Sequence, residues 1–212
     1  MRLIEHYLSI QGEGLHSGKP TYFVRFARCN LRCAWCDSEY TFGDGDETTF
    51  DMVAEAVTRS KAQIVCLTGG EPLLHTDDCL HLIRHFPLIH FDIETGGSLD
   101  IAKVLLGNVS VVMDWKLSGS GMNGKMRKEN LPLLRLTHDL LKFVTDGSDT
   151  ERSEIEDLIR RTQDSGVPVS IQPVFGTEAR PLAEWTLSIK NPRIQFNLQM
   201  HKYIWTAQQA GV

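Results

Sequence analysis

Cys29-Asn30-Leu31-Arg32-Cys33-Ala34-Trp35-Cys36-Asp37-Ser38 holds three of the chain's five cysteines, spaced four and then three residues apart. Three thiolates on so short a stretch, with the turn-forming run Gly43-Asp44-Gly45-Asp46 close behind, can converge on one metal centre. A structural zinc site closes with four protein ligands and a disulfide takes cysteines in pairs, so an isolated triad points to a centre with an open position. An iron–sulfur cube held by three thiolates has one iron free for an exogenous ligand. The competing reading is a zinc knuckle completed by a histidine such as His6 or His16, although zinc motifs usually present two close ligand pairs.

Around this stretch, apolar runs alternate with helical patterns. Leu3 to Ile10 and Thr21 to Ala27 read as strands bracketing the turn Gln11-Gly12-Glu13-Gly14. Phe50, Val53, Ala54 and Val57 recur at helical spacing behind Thr48 and Thr49 as N-caps, and Cys79, Leu82, Ile83 and Phe86 repeat the spacing. Further strands are predicted near 63–68, 88–94, 109–115, 140–145, 167–173 and 194–200. Helices are predicted near 101–106, 130–136, 151–163 and 182–189. Cys79 and Cys66 read as core residues. This alternation implies an α/β fold with a parallel sheet. A complete eight-stranded barrel takes about 250 residues; at 212 residues an incomplete, laterally open (β/α) barrel fits better, as a single domain over 1–212.

A hydrophobic content of 42%, a charged content of 23% and a net charge of −5 describe an ordinary globular chain with no electrostatic reason to bind nucleic acid or an anionic membrane. No apolar run is long enough to span a bilayer, and Glu5 and His6 stand where a signal peptide needs apolar residues. The expected location is the cytoplasm, where reducing conditions keep an odd number of cysteines available to metal.

Two strand-end segments carry further chemistry. Thr68-Gly69-Gly70-Glu71-Pro72 offers a backbone that a ligand can approach closely and a fixed carboxylate, or is simply a turn. Asp92-Ile93-Glu94-Thr95-Gly96-Gly97 places a carboxylate where ribose hydroxyls or an amide-like ring edge could be held, or where it merely caps a turn in solvent. Arg25 stands alone in the apolar strand Phe23 to Ala27; it is costly to bury unpaired, unless its side chain points to solvent. His201 is by itself as compatible with a core position as with a site.

The C-x3-C-x2-C spacing with an aromatic residue before its last cysteine resembles the signature of the radical S-adenosylmethionine (SAM) enzymes. The resemblance implies that Cys29, Cys33 and Cys36 ligate a 4Fe–4S cluster whose fourth iron is chelated by SAM, and that reductive cleavage of SAM yields a 5′-deoxyadenosyl radical. It also implies the open barrel. Trp35 would then pack near the adenine and Gly70 and Glu71 would meet the SAM amino group, with Asp37, Thr95 and Lys116 as further cofactor contacts.

Ser9-Ile10-Gln11-Gly12-Glu13-Gly14 and Arg25, taken with Gln199-Met200-His201-Lys202-Tyr203, narrow the resemblance to the 7-carboxy-7-deazaguanine synthase family of queuosine and deazapurine biosynthesis, over about Ile10 to Tyr203. That resemblance implies a lyase converting 6-carboxy-5,6,7,8-tetrahydropterin to 7-carboxy-7-deazaguanine and ammonia, with SAM regenerated. Arg25 would face the substrate carboxylate, and Ile10, Gln11, Gly12, Glu13, Thr68, Glu94, Gln172 and His201 would complete the pocket. It further implies Mg2+ at Ser38, a reducing electron donor such as flavodoxin, and a homodimer. An activase of a glycyl-radical enzyme shares the triad and the Gly-Gly-Glu-Pro segment and is the alternative within radical chemistry.

The chain departs from the family in places. Asp114-Trp115-Lys116 replaces Ser-Pro-Lys, so only the lysine carries over. Some members enlist a C-terminal carboxylate, whereas Val212 lies nine residues beyond Tyr203. Lys142 matches a family lysine.

Overall fold

A computed structural model describes residues 1–205 of the chain; the expectation for the Val212 carboxylate lies outside them. One mixed sheet organises the molecule. Its strands are β1 (Arg2–Ile10), β2 (Pro20–Phe26), β3 (Asp46–Glu47), β4 (Ile64–Gly69), β5 (His90–Thr95), β6 (Val109–Asp114), β7 (Leu140–Thr145), β8 (Val169–Pro173) and β9 (Ile194–Phe196). They lie in the order β3-β1-β2-β4-β5-β6-β7-β8-β9. From β2 through β4 to β9 every pairing is parallel, and β3 and β9 form the two unpaired edges, so the barrel is laterally open.

The all-parallel expectation fails at β1, which pairs antiparallel with both of its neighbours, β3 and β2. Against β2, Glu5 stands opposite Arg25 and Ile10 opposite Pro20. The residues between β1 and β2 form no crossover helix, and a chain that returns directly can only pair antiparallel.

Strand alternation sorts the two faces of the sheet. Val65, Leu67, Phe91, Ile93, Val111, Met113, Leu141, Phe143, Val169 and Ile171 point outward into the hydrophobic core, together with the buried stripes of α1 (Phe50–Ser60), α2 (Thr76–His85), α3 (Asp149–Arg161) and α4 (Ala179–Ser188). Thr49 caps α1 by accepting from the Met52 N–H, and Ser148 caps α3. Cys79 sits in this core as expected. Cys66 is also fully buried, but on the inner face, where it pairs in register with Asp92. That face is polar: Asp92, Glu94, Ser110, Asp114, Lys142, Ser170 and Gln172 alternate with the outward apolar set.

The helices predicted near 101–106 and 130–136 shrink to 3-10 turns, Ala102–Val104 and Lys128–Leu133, the second containing Pro132. Side chains take over what helical hydrogen bonds would have done. Asn130 Nδ2 donates to the carbonyls of Gly97 and Leu99, the Arg135 guanidinium to those of Leu106 and Val109, and the Asp139 carboxylate accepts from Val111 N–H. The last strand ends at Phe196 rather than Met200, and the chain then crosses the barrel mouth into the four-residue helix α5 (His201–Ile204).

Candidate active site

The carboxyl ends of the parallel strands surround a cavity of about 420 Å³. Every residue named above for the cluster, SAM, Mg2+ or the substrate pocket lines it except Gln172, which stands behind Glu13. This is where ligands collect in open and closed βα sheets.

The cysteine loop leaves β2 at its carboxyl end. Cys29, Cys33 and Cys36 are free, half-buried thiols on the cavity wall. Burial raises the pKa of all three, with the Lys116 ammonium opposing the rise, so a bound cation is what would hold them as thiolates. Among the described residues, the one group of three or more His, Cys, Asp or Glu whose ligand atoms converge within 4.8 Å is His16, His90 and Asp92. His6 is bonded to the Tyr22 hydroxyl and His16 to Asp92, so neither completes a zinc knuckle with the triad.

Thr68 to Pro72 forms a clasp. A side chain at Gly69 or Gly70 would collide with the backbone of Phe26 or Arg28, so these glycines let β4 lie against the chain entering the cysteine loop. Gly70 N–H donates to Phe26 O and Glu71 N–H to Arg28 O. The buried Glu71 carboxylate accepts from Leu73 N–H, the Thr95 hydroxyl and Gly96 N–H, at 3.0, 2.8 and 2.8 Å. Glu71 thus ties the ends of β4 and β5 together, and its oxygens are engaged by the chain itself. Trp35 packs against Gly119, where a β-carbon would come within 2.6 Å of the indole.

On the opposite wall, Arg25 is buried and paired, not turned to solvent. Its Nε donates to Glu5 Oε1 at 2.8 Å and an Nη to the Tyr7 hydroxyl at 3.2 Å, which fixes the plane of the guanidinium. Between the walls lies a network of buried charge. Lys142 Nζ is 2.8 Å from Glu13 Oε2, 3.4 Å from Asp114 Oδ2 and 3.7 Å from Glu94 Oε2, and Lys116 Nζ is 2.9 Å from Asp114. Three carboxylates face two ammoniums. Burial would raise the Glu13 carboxyl, yet Lys142 beside it and the bonds from Lys142 and Gln172 hold it well below its ordinary value. Glu94 absorbs the excess: desolvation, with Glu13, Asp92 and Asp114 nearby, outweighs Lys142 and pushes it up to about 7. Asp114 Oδ1 is buried without a hydrogen-bond partner among the described residues.

The two segments from opposite ends of the sequence meet here. Gln199 Nε2 donates to Glu13 Oε1 at 3.0 Å and Met200 N–H to Gly12 O at 3.1 Å, and a side chain at Gly12 would collide with the His201 ring. Lys202 and Gln199 both reach Asp37, whose other oxygen accepts from the Ser38 hydroxyl at 2.9 Å. Glu5, Tyr7 and Lys202 were given no place in the site from the sequence, Lys202 entering only within the Gln199 to Tyr203 segment. The Glu5 to Arg25 pair needed the hairpin register, which alternation alone does not supply.

The radical SAM superfamily profile matches residues 23–113. The chain is 36% identical to the 7-carboxy-7-deazaguanine synthase of Koribacter versatilis, which it covers end to end as it is itself covered. It is 34% identical to the enzyme of that name from Methanospirillum hungatei, over 96% of this chain and 85% of the relative. With that of Clostridium acetobutylicum it shares 30% identity over 100% and 99% of the two chains. The crystal structure of QueE from Escherichia coli superposes with a TM-score of 0.70 at 23% identity, over 92% of each chain, a likeness of fold.

Proposed function

Since the chain belongs to the 7-carboxy-7-deazaguanine synthase family of radical SAM enzymes, we propose that it converts 6-carboxy-5,6,7,8-tetrahydropterin to 7-carboxy-7-deazaguanine and ammonia. One observation carries this reading: three free thiols, the strand-end clasp, a buried Arg25 and the Glu94 carboxylate all face one cavity of about 420 Å³.

The residues fit the groups the family uses. Cys29, Cys33 and Cys36 would hold a 4Fe–4S cluster at the wall of the cavity in which SAM would bind. Bound there, cluster and SAM supply one-electron chemistry that removes and returns a substrate hydrogen. Thr95, Gly70, Lys116 and Trp35 line the cavity and would contact SAM there, with Glu71 holding the loops that frame it and Asp37 at the rim. Ser38 would give a hydroxyl to Mg2+, a cation that keeps several waters and needs few protein ligands.

The rest of the chemistry belongs to this chain's own groups. Arg25, locked by Glu5 and Tyr7, presents a fixed guanidinium to the substrate carboxylate. Glu94 accepts from the N–H edge of the pterin when ionised, and Gln11, bonded to Glu94 at 3.2 Å, orients it. Glu13 holds Lys142, Gln172 and Gln199 in place, and Thr68, His201 and the backbone of Ile10 and Gly12 close the pocket. A dimer and a flavodoxin-like electron donor accompany this reading. None of the described helices is long and apolar enough to cross a membrane.

The test is anaerobic turnover with reductant, SAM, Mg2+ and the carboxylated tetrahydropterin. The expected product is the deazaguanine with SAM regenerated. Consumption of SAM with the pterin untouched would refute the assignment and favour a protein-activating radical enzyme.

A further inference from the structure

At the other end of the barrel, away from the cysteines, three side chains converge. His90 opens β5, Asp92 follows on its inner face, and His16 comes from the loop joining β1 to β2. His16 Nδ1 lies 3.0 and 2.9 Å from the two Asp92 oxygens, and His90 Nε2 lies 3.5 Å from Oδ1. The imidazoles stand edge to face with centroids 4.8 Å apart.

We propose that His16, His90 and Asp92 form a second metal site, separate from the cluster loop, that takes a divalent ion of the zinc type in a structural role. Two imidazoles and one carboxylate are a borderline-soft donor set suited to zinc or its neighbours rather than to magnesium or calcium. Tetrahedral zinc with ligands at about 2.0–2.1 Å separates its ligand atoms by roughly 3.3 Å. The two His to Asp separations bracket that spacing, so small side-chain rotations admit the ion. Asp92 is 1% exposed, whereas His16 and His90 are 18% and 32% exposed, which gives a buried anionic floor and an entry from solvent. The Ser110 hydroxyl, 3.0 Å from His90 Nε2, or a water is available for the fourth position.

The site's place in the fold explains what it would do. The loop that carries His16 begins with Gln11 and Glu13, which reach up into the cavity, and at Gly14 it runs against Val112 on the inner face of β6. The loop is a plug across the barrel, with cavity residues on one side and His16 on the other. An ion clamping His16 to two residues of β5 would pin the floor of the cavity without entering it.

The experiment uses the full chain. The Cys29→Ala/Cys33→Ala/Cys36→Ala variant, which removes the competing thiols of the loop, is titrated with Co2+ and then Zn2+ under anaerobic conditions and followed optically. The expected result is one Co2+ per chain with d–d bands of nitrogen and oxygen ligation and no thiolate charge-transfer band, displaced by Zn2+. In the same background, His90→Gln and Asp92→Asn lower the affinity by at least about tenfold. In cluster-loaded protein, Zn2+ raises Tm by several degrees and the rise is absent in His90→Gln, whose histidine lies at the exposed edge and whose loss leaves the sheet intact. Failure of the titrated chain to take up Co2+, or equal uptake by His90→Gln and Asp92→Asn, overturns the site. Because the readout is metal uptake, either result is distinct from a failure to turn over the pterin.

Discussion

Lys142 Nζ donates to Glu13 Oε2 across 2.8 Å, and both side chains are buried inside the barrel. Removing one partner leaves the other as an uncompensated interior charge, which costs about 3–5 kcal/mol. Lys142→Met should therefore lower Tm by roughly 10 °C in thermal denaturation. The double variant Glu13→Gln/Lys142→Met should recover most of that loss, and a double variant no more stable than the single would show that the pair is not the source.

Only the loop cysteines face the cavity that would hold a cluster. Cys29→Ala, Cys33→Ala and Cys36→Ala should each lose iron and sulfide and the brown colour of anaerobic protein. Cys66→Ala and Cys79→Ala should keep both, because Cys66 lies beside Asp92 beneath the cavity and Cys79 in the helix-side core. Iron and sulfide analysis settles the assignment.

Arg25 is held by Glu5 and Tyr7 so that its planar fork meets a carboxylate. Lysine keeps the charge and loses the fork, so Arg25→Lys should cut kcat/KM for the carboxylated pterin by roughly 10- to 100-fold. The loss should fall mainly on KM, with iron content unchanged. Unaltered kinetics would remove Arg25 from the substrate contacts.

Glu94 is lifted from 4.5 to about 7 by burial among other acids. A carboxyl raised on folding stabilises the folded state in its protonated form, fully below 4.5, and that contribution is lost as pH climbs through about 7. Tm measured from pH 4.5 to 8 should show this loss in the wild type, and Glu94→Gln should flatten it. Affinity for a ligand that donates N–H groups to Glu94 should run the other way, rising with pH over the same window.

Gly12 has no room for a β-carbon, which would collide with the His201 ring. Gly12→Ala should displace His201 and raise KM with little change in far-ultraviolet circular dichroism. Adding His201→Ala should not worsen KM further, because the ring would already have left its place.

Much of the sheet was legible because it needs only local information. Ile64 to Leu67 is a short, continuous apolar run between polar Gln63 and the Thr68-Gly69-Gly70 turn, and such a run reads as a strand buried on both faces. The helix near 101–106 failed for the converse reason: Asn130 and Arg135, far along the chain, satisfy carbonyls there and nearby, and a local pattern carries no trace of such partners. The candidate site was legible where residue types are chemically unusual, as in three close cysteines or QGEG. Cys66 was read as packing because a buried cysteine in an apolar run looks the same on either face of a sheet. The clasp role of Gly69 and Gly70 was hidden likewise, since a glycine does not disclose whether its neighbour is a ligand or the protein's own backbone.

The bond from Gln199 to Glu13 joins residues 186 positions apart. During synthesis, the sheet from β1 to β8 can assemble while the ribosome is still translating, but the back wall cannot exist before the Gln199 to His201 stretch has emerged. A nascent chain stalled after α4 would hold β1 to β8 and its cysteines and have nothing to shut around a cosubstrate. Closing the back wall thus depends on contacts of very high sequence separation, which form only after much of the intervening chain has been ordered.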